Sequence, residues 1–470
     1  MDTLGRRTRI VILGGGFGGV YAALHLDRTA ARDRGVEVLM IAPQNFLVFT
    51  PMLHEVASGA LDPSSIVVPI RQVLRHVNLF QAEATAVDFA ARTVTTVYGV
   101  DQRTSTIPFD HLLIAIGSQT RFPPGLRSRV HGMKTIHDAL VLRNWLIGLL
   151  ERAEVEPDPA RRRALLTVAV AGGGFSGVET VGAINDFLRE VARHYPRASA
   201  EMPSLALVAS LGRLLPEFDP ALGQYTESKL RAAGIDVRLN TKVADFDGRV
   251  VTLSSDSPQS TSSFSARTLI WTAGVTPSAL IESLALPKET GRIIVNDCMR
   301  VPDHEGVWAC GDCAAIPDAA GKSYPPTAQH AVRQGGHVGR NIAAAVRGKP
   351  QLIRPFHYKM VGQFAAIGRQ RAVATLFGLR FSGFIAWLLW RGAYLSMLPR
   401  LDRKVRVLLQ WIIDACFARD TVQLLTVHSI SSGRLEELIE SARTIEAGDA
   451  AKESAEARSP RAADVAQPRC

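Results

Sequence analysis

The sequence predicts an α/β fold of two Rossmann-like units, the second inserted in the first, with an amphipathic helical region after them. Three observations carry this reading. The stretch RIVILGGGFGGVYAA at residues 9–23 has a near twin, TVAVAGGGFSGVETVGAI, at residues 167–184. Two further apolar runs, FDHLLIAIGSQT and ARTLIWTAGVTP, each read as a buried strand ending on a glycine, Gly117 and Gly274. The 470 residues, 47% apolar and 21% charged, make a globular chain long enough for about three domains.

In each twin a β-branched run leads into G-x-G-x-x-G, with Gly14, Gly16 and Gly19 in the first and Gly172, Gly174 and Gly177 in the second. The order reads as strand, tight turn and helix start. The first glycine permits the turn, the second lets a pyrophosphate approach the backbone, and the third lets the helix pack closely on the strand; the helix N-terminus then faces the phosphates. One such motif is weak support for a dinucleotide site, whereas two with matched flanks are much stronger. Two dinucleotide folds in one chain imply a tightly held flavin and an exchangeable nicotinamide, the pairing in which a hydride donor reduces a flavin.

The first, flavin-binding domain is expected over residues 6–122 and 292–355, because RIIVNDCMRVPDHEGVWACGDCAAIPD supplies one more strand ending at Gly311 and Asp312. The nicotinamide-binding domain is expected over 123–291, its motif following the connector EPDPARRR. Residues 356–440 form the C-terminal region. Residues 441–470, with nine alanines and no aromatic residue, are expected to be a disordered tail.

The net charge of +10 is concentrated: between Arg354 and Arg419 there are eleven Lys and Arg against Asp402 and Asp414. A nucleic-acid binder would show basic runs with aromatic spacing across a defined module, so no nucleic-acid partner is expected. No run of about 18 uncharged apolar residues occurs; the longest candidate, residues 381–398, is broken by Arg391. Instead Val405, Leu408, Leu409, Ile412 and Cys416 recur as one stripe of a helix, with Arg403, Lys404 and Arg406 at its start. Trp387, Trp390 and Trp411 lie in the same region, as indoles do at a membrane interface. A membrane surface is the expected partner of this stripe; the alternative is packing on the protein core or on a second subunit. Five scattered cysteines form no disulfide framework and point to a reducing compartment. The N-terminus shows no secretory h-region. Twelve histidines without an H-x-x-x-H or a Cys/His cluster argue for no metal.

With these paired motifs, and with AGGGFSGVETVGAINDF, FTPMLHEVASG, YPPTAQHAVRQGG and GRQRAVATLFGLRFSGFIAWLLW, the chain resembles the type II NADH:quinone dehydrogenases. These are single-subunit, non-pumping respiratory flavoenzymes. The resemblance implies that Gly14, Gly16 and Gly19 hold the pyrophosphate of FAD and that Asp312 accepts from its hydroxyls. It places Thr50, Thr327, Ala328 and Gln329 along the isoalloxazine, with Gly117 and Gly274 at the cofactor-facing strand ends. Gly172, Gly174 and Gly177 would hold NADH or NADPH, and Glu179 would sit near the nicotinamide carboxamide. For Glu179 the alternative is a solvated acid in the first helical turn, favoured by the helix dipole.

The implied reaction is ping-pong transfer of two electrons from NADH through FAD to a membrane quinone, by an enzyme held peripherally on the cytoplasmic face of the cell membrane. A homodimer is open. A redox-sensing flavoprotein or a reductase for a soluble acceptor are the other readings. Disulfide and sulfide:quinone reductases need reactive cysteines by the flavin, yet none precedes Cys298, and Cys310 and Cys313 flank Asp312 as small packing residues.

Three positions depart from the family pattern. Ala42 stands where an acid usually accepts from the adenosine ribose of FAD, leaving Gln44 or Asn45 as partners. Ala209 stands at the matching place in the second unit, which removes discrimination against a 2′-phosphate, and Arg213 is near enough in sequence to attract one. In TAQHAVRQ, Arg333 replaces the second glutamine of A-Q-x-A-x-Q. Gln329 and Arg333 are then expected to flank the quinone headgroup, with Arg333 donating only and its charge favouring an anion on the reduced ring. A salt bridge that closes the tunnel and a structural role at the domain interface are the alternatives for Arg333.

Overall fold

The apolar run Thr8–Leu13 has no polar alternation, as a strand covered on both faces should read. It sits at the centre of a parallel sheet ordered Val307–Ala309, His111–Ile114, Thr8–Leu13, Val36–Ala42 and Asn78–Gln81. The second twin builds the same thing: Ile235–Arg238, Ser204–Val208, Thr167–Ala171 and Thr268–Trp271, again all parallel. The computed structural model describes residues 7–255 and 261–423, so the expectation for residues 441–470 and for the end of the C-terminal region lies outside the described residues.

The outer strand Val307–Ala309 of the first sheet comes after the whole second unit, which makes that unit an insertion. The chain leaves and re-enters the first unit through two short strands, Ser118–Thr120 and Val275–Pro277, that pair antiparallel with each other. Each unit also carries a three-stranded antiparallel meander. One is Glu83–Asp88, Thr93–Tyr98 and Arg103–Pro108; the other is Thr241–Phe246, Val250–Ser255 and Thr261–Ser265.

Two helices wall the region between the units. Helix Ala328–Val346, which carries TAQHAVRQ, lies against the glycine-motif helix Phe17–Arg28 at backbone contact: a Cβ on Gly335 would stand 2.3 Å from the Gly18 carbonyl oxygen, and one on Gly339 would stand 2.9 Å from that of Ala22. Helix Phe175–Val191 does the same to the C-terminal region, where a Cβ on Gly182 would meet the Ile367 carbonyl at 2.7 Å.

The C-terminal region is not helical throughout. Strands Gly362–Gly368, Arg371–Leu376 and Leu379–Ser382 form an antiparallel sheet before helices Gly383–Met397 and Leu401–Cys416 begin. The buried apolar run of RAVATL and the tight turn through Gly368 and Gln370, with φ of 137° and 59°, set the hairpin of the first two strands.

The tryptophans also differ from expectation. Trp390 and Trp411 are buried, against Tyr394, His54 and each other, and Trp387 is half-buried beneath the Arg391 guanidinium, so these indoles serve packing inside the protein. The predicted stripe itself faces outwards. Val405, Leu408, Leu409 and Ile412 are each about half exposed and Cys416 is exposed, while Val407 and Trp411 hold the helix to the core. Among the described residues no helix is long and apolar enough to cross a membrane.

Gly182→Val sets overpacking against a helix-propensity gain of a few tenths of a kcal/mol. A side chain pressed on the Ile367 backbone costs about 1–3 kcal/mol. Urea unfolding is expected to show a net loss of about 2 kcal/mol, and an unchanged midpoint would mean that this contact does not hold the C-terminal sheet.

Candidate active site

The two glycine loops have one geometry. Gly14 and Gly172 adopt φ of 109° and 126°, out of reach of ordinary side chains. A Cβ on Gly19 or Gly177 would lie 2.0 or 1.8 Å from the carbonyl oxygen of Gly14 or Gly172, so helix and turn touch only because those side chains are missing. On Gly16 and Gly174 a Cβ would meet nothing within 4 Å. That open approach to a helix N-terminus is the space a pyrophosphate requires, and both loops therefore fit a dinucleotide.

Asp312 follows Gly311, whose φ is 77° and whose N–H donates to Gln334 Oε1 at 2.9 Å. Its carboxylate accepts from Ser118 Oγ at 2.8 Å and lies 3.5 Å from Lys134 Nζ. Gly117, at the strand end beside Ser118, has φ of 69° and open space where a Cβ would be; Gly274, with φ of 83°, lies against the Arg121 guanidinium. Ala42 and Ala209 are both buried, and Gln44 and Asn45 are exposed just past Ala42. The Arg213 guanidinium donates to the Pro216 carbonyl at 2.6 Å.

Between the units lies a cavity of about 950 Å³, large enough for several rings. It brings together Thr50, Glu179, Thr327, Ala328, Gln329 and Arg333 from three separate segments. The glycine loops, Gly117, Gly274 and Asp312 are not in its wall, but Phe17, Phe175 and Ser176, at the starts of the two glycine-motif helices, are. Thr327 caps helix Ala328–Val346, accepting from the His330 N–H, so the helix start opens onto the cavity.

Gln329 is clamped: its amide donates to the Gly362 carbonyl at 3.1 Å and accepts from Tyr358 OH at 3.4 Å. Arg333, one turn on, holds its guanidinium 5.7 Å from the Tyr358 ring centre. No carboxylate pairs with it among the described residues.

Glu179 is buried rather than solvated. Its Oε1 accepts from the Ala366 N–H at 3.2 Å and its Oε2 lies 3.8 Å from His54 Nδ1. Burial pushes its carboxyl up to about 8, partly offset by the Ala366 N–H, and pushes the His54 imidazole down to about 3. At neutral pH the pair is an acid beside a neutral imidazole.

Sequence reasoning passed over His54, Lys134, Tyr358 and Tyr394, all in the cavity wall. The signal for His54 was there, since HE inside the apolar run of FTPMLHEVASG places two ionisable groups where burial penalises both. Cys310 and Cys313 are buried thiols, pushed up by burial and, for Cys313, to about 11, with the Cys313 S–H donating to the Cys310 carbonyl at 3.3 Å. Neither is a thiolate at neutral pH. Among the described residues no cluster of His, Cys, Asp and Glu has the makings of a metal site.

A family model described as pyridine nucleotide-disulphide oxidoreductase matches residues 8–335, and one described as NDH2 C-terminal domain matches residues 360–420. The chain is 32% identical over 451 residues to a type II NADH:quinone oxidoreductase of Mycobacterium tuberculosis, covering 93% of this chain and 94% of that protein. It is 32% identical over 412 residues to a demethylphylloquinone reductase of Synechocystis, covering 86% and 96%. The solved structure of NDH2 from Plasmodium falciparum in complex with NADH superposes with a TM-score of 0.83 at 22% identity, over 89% of this chain and all of that one.

Because its carboxyl is held above the ordinary 4.5, Glu179 keeps its proton in the folded state while the unfolded chain ionises. Its contribution to stability is complete below about 4.5 and is lost as pH rises towards about 8. Glu179→Gln should flatten that fall by one proton in urea titrations run at several pH values; a slope equal to the wild type's would show an ionised Glu179.

Proposed function

Because the chain belongs to the type II NADH:quinone oxidoreductase family of flavoproteins, we propose that the cavity walled by Thr50, Glu179, Thr327, Ala328, Gln329 and Arg333 is where NADH and a quinone exchange two electrons in alternate visits. The observation that carries this is convergence: the starts of both glycine-motif helices, the buried acid and the capped helix open on one void. When bound, FAD accepts a hydride and gives up two electrons, so the two substrates need never meet.

In this reading Gly14, Gly16 and Gly19 hold the FAD pyrophosphate and Asp312 accepts from a cofactor hydroxyl, oriented by Ser118 and Lys134. Gly172, Gly174 and Gly177 hold the nicotinamide nucleotide, with Glu179 at the carboxamide as a neutral acid able to donate as well as accept. Gly117 and Gly274 keep the strand ends free of side chains where the cofactors pass. Thr50, Thr327 and Ala328 line the isoalloxazine. Gln329, fixed by Gly362 and Tyr358, binds one quinone oxygen, and Arg333 stabilises negative charge as the ring is reduced. The transfer is not coupled to proton pumping.

The exposed apolar face of helices Gly383–Met397 and Leu401–Cys416 lies on a membrane surface. Phe384, Ile385, Leu388, Leu401, Leu408, Ile412 and Phe417 form it, far more apolar surface than isolated exposed side chains present. The basic residues of this segment favour anionic headgroups, and the attachment is peripheral, on the cytoplasmic face.

Two experiments test this reading. In stopped flow, Arg333→Ala should slow reoxidation of reduced flavin by a naphthoquinone about tenfold, or ~1.4 kcal/mol, and leave reduction by NADH unchanged; a defect in the reductive half instead would move Arg333 to the nicotinamide side. In co-sedimentation with anionic vesicles, Leu408→Glu combined with Ile412→Glu should release the folded holoenzyme. Undiminished binding would overturn attachment through this face, and loss of a dimer instead would assign the face to a second copy of the chain.

A further inference from the structure

Behind Glu179 the structure holds a second, much smaller cavity of about 40 Å³. It shares His54 and Glu179 with the large cavity, as a common wall, and extends past Glu55 to Asp186 and the half-exposed Arg369. Its lining is polar and incompletely paired: the buried donors Arg391 Nε and Arg419 Nη1 have no hydrogen-bond partner, Trp390 Nε1 faces the Glu179 carboxylate, and the carboxylates of Glu55 and Asp186 border the same space. Buried polar groups in that condition hold water, and a volume of this size accepts about three molecules at roughly 10–15 Å³ each. The 3.8 Å between His54 Nδ1 and Glu179 Oε2 exceeds a direct hydrogen bond and is a span that water bridges.

Glu55 does not line the large cavity, yet it is buried with both oxygens accepting from Trp411 Nε1, at 3.2 and 3.0 Å. The groups around it come from several elements: His54 on its own helix, Glu179 on Phe175–Val191, Arg391 on Gly383–Met397, Asp414 and Trp411 on Leu401–Cys416, and Arg419 beyond. Burial raises its carboxyl and Asp414 adds to the rise, against Arg391, Arg419 and the Trp411 N–H, leaving it at about 7. A carboxyl so poised loads and releases a proton near neutral pH at little cost.

We propose that Glu55 is the proton-loading group of the catalytic cavity, passing protons from solvent through the small cavity and past His54 to Glu179. This rests on the reading of the large cavity as the site of quinone reduction. Oxidation of NADH by a quinone gives NAD⁺ and quinol and consumes one proton from water beyond the hydride. The route supplies that proton. The O–H bond of Glu179 breaks as a new O–H bond forms on the reduced quinone; the Glu55 proton moves through water to the Glu179 carboxylate; a hydronium ion at the Arg369 mouth restores Glu55. No electrons travel this way, and the pair that reduces the quinone arrives with the hydride. Glu55 is a positioning and loading residue, because it does not line the large cavity.

The test uses the FAD-loaded enzyme and two readouts. Infrared spectra from about pH 5 to about pH 9 should show the carbonyl band of a protonated buried carboxylic acid fading in the wild type, with one component missing in Glu55→Gln. The same variant should lower kcat for quinone-dependent NADH oxidation about tenfold, abolish its decline above neutral pH, and leave flavin reduction by NADH at the wild-type rate. Trp411→Phe keeps the acid but removes the N–H that favours its ionised form, so band and decline should both move to higher pH. An infrared spectrum unaltered by Glu55→Gln, or a kcat profile of unchanged shape, overturns the proposal while quinone reduction by the wild type stands. A wild type reduced by NADH and never reoxidised by quinone overturns the functional reading itself, and this proposal with it.

Discussion

Backbone touching backbone at a few glycines sets the dimensions of everything else in the molecule. Gly19 on Gly14, Gly177 on Gly172, Gly335 on Gly18 and Gly182 on Ile367 bring helices within a distance that a single methyl group would forbid. Close approach fixes where each helix starts, and the starts are what the cavity is built from. Protein interiors are packed too densely for such contacts to be relaxed one at a time. The four side chains Glu179, Thr327, Gln329 and Arg333 owe their common space to helices held by glycines they do not themselves contact.

The second constraint is electrostatic. The C-terminal region buries Glu55, His54 and Glu179 between its elements: Trp411 donates to Glu55, Trp390 packs on His54, and the Ala366 N–H donates to Glu179. Charges in such a place carry a desolvation cost that the surrounding dipoles only partly offset. The protein meets it by neutralisation, with carboxyls raised and the imidazole lowered. Arg391, stacked 3.9 Å from the Trp387 ring centre and 4.5 Å from that of Trp411, keeps its charge against two aromatic faces. The C-terminal helices therefore do two jobs with opposite faces, apolar side chains outside and aromatic side chains with N–H donors against the buried acids.

The α/β architecture and the insertion were legible because their signals are local and duplicated: two glycine motifs and strand ends that rhyme at Gly117 and Gly274. The outward stripe of Val405, Leu408, Leu409 and Ile412 was legible for the same reason, since helical periodicity is written in sequence spacing. The destination of Trp390 and Trp411 was not, because an indole suits a core and an interface equally and only the tertiary partner, here His54 and Glu55, decides. The sheet of residues 362–382 was hidden by the apolar helix that follows it. The cavity was half visible. Residues supplied by motifs, such as Glu179 and Gln329, could be named in advance, whereas His54, Lys134 and Tyr394 come from segments that meet only in three dimensions. Arg333 was visible as a departure from a pattern, and only the fold shows that no carboxylate among the described residues pairs with it.

The position of strand Val307–Ala309 has a consequence for the chain as it is made. Until that strand arrives, His111–Ile114 has no neighbour on one side, so the first sheet exposes an unpaired apolar edge of the kind that templates aggregation. A ribosome adding 5–20 residues per second needs roughly ten to forty seconds to travel from one strand to the other. In that interval the inserted unit, all four of whose parallel strands lie between residues 167 and 271, can complete its own sheet. The unit that begins first is thus the one that finishes last.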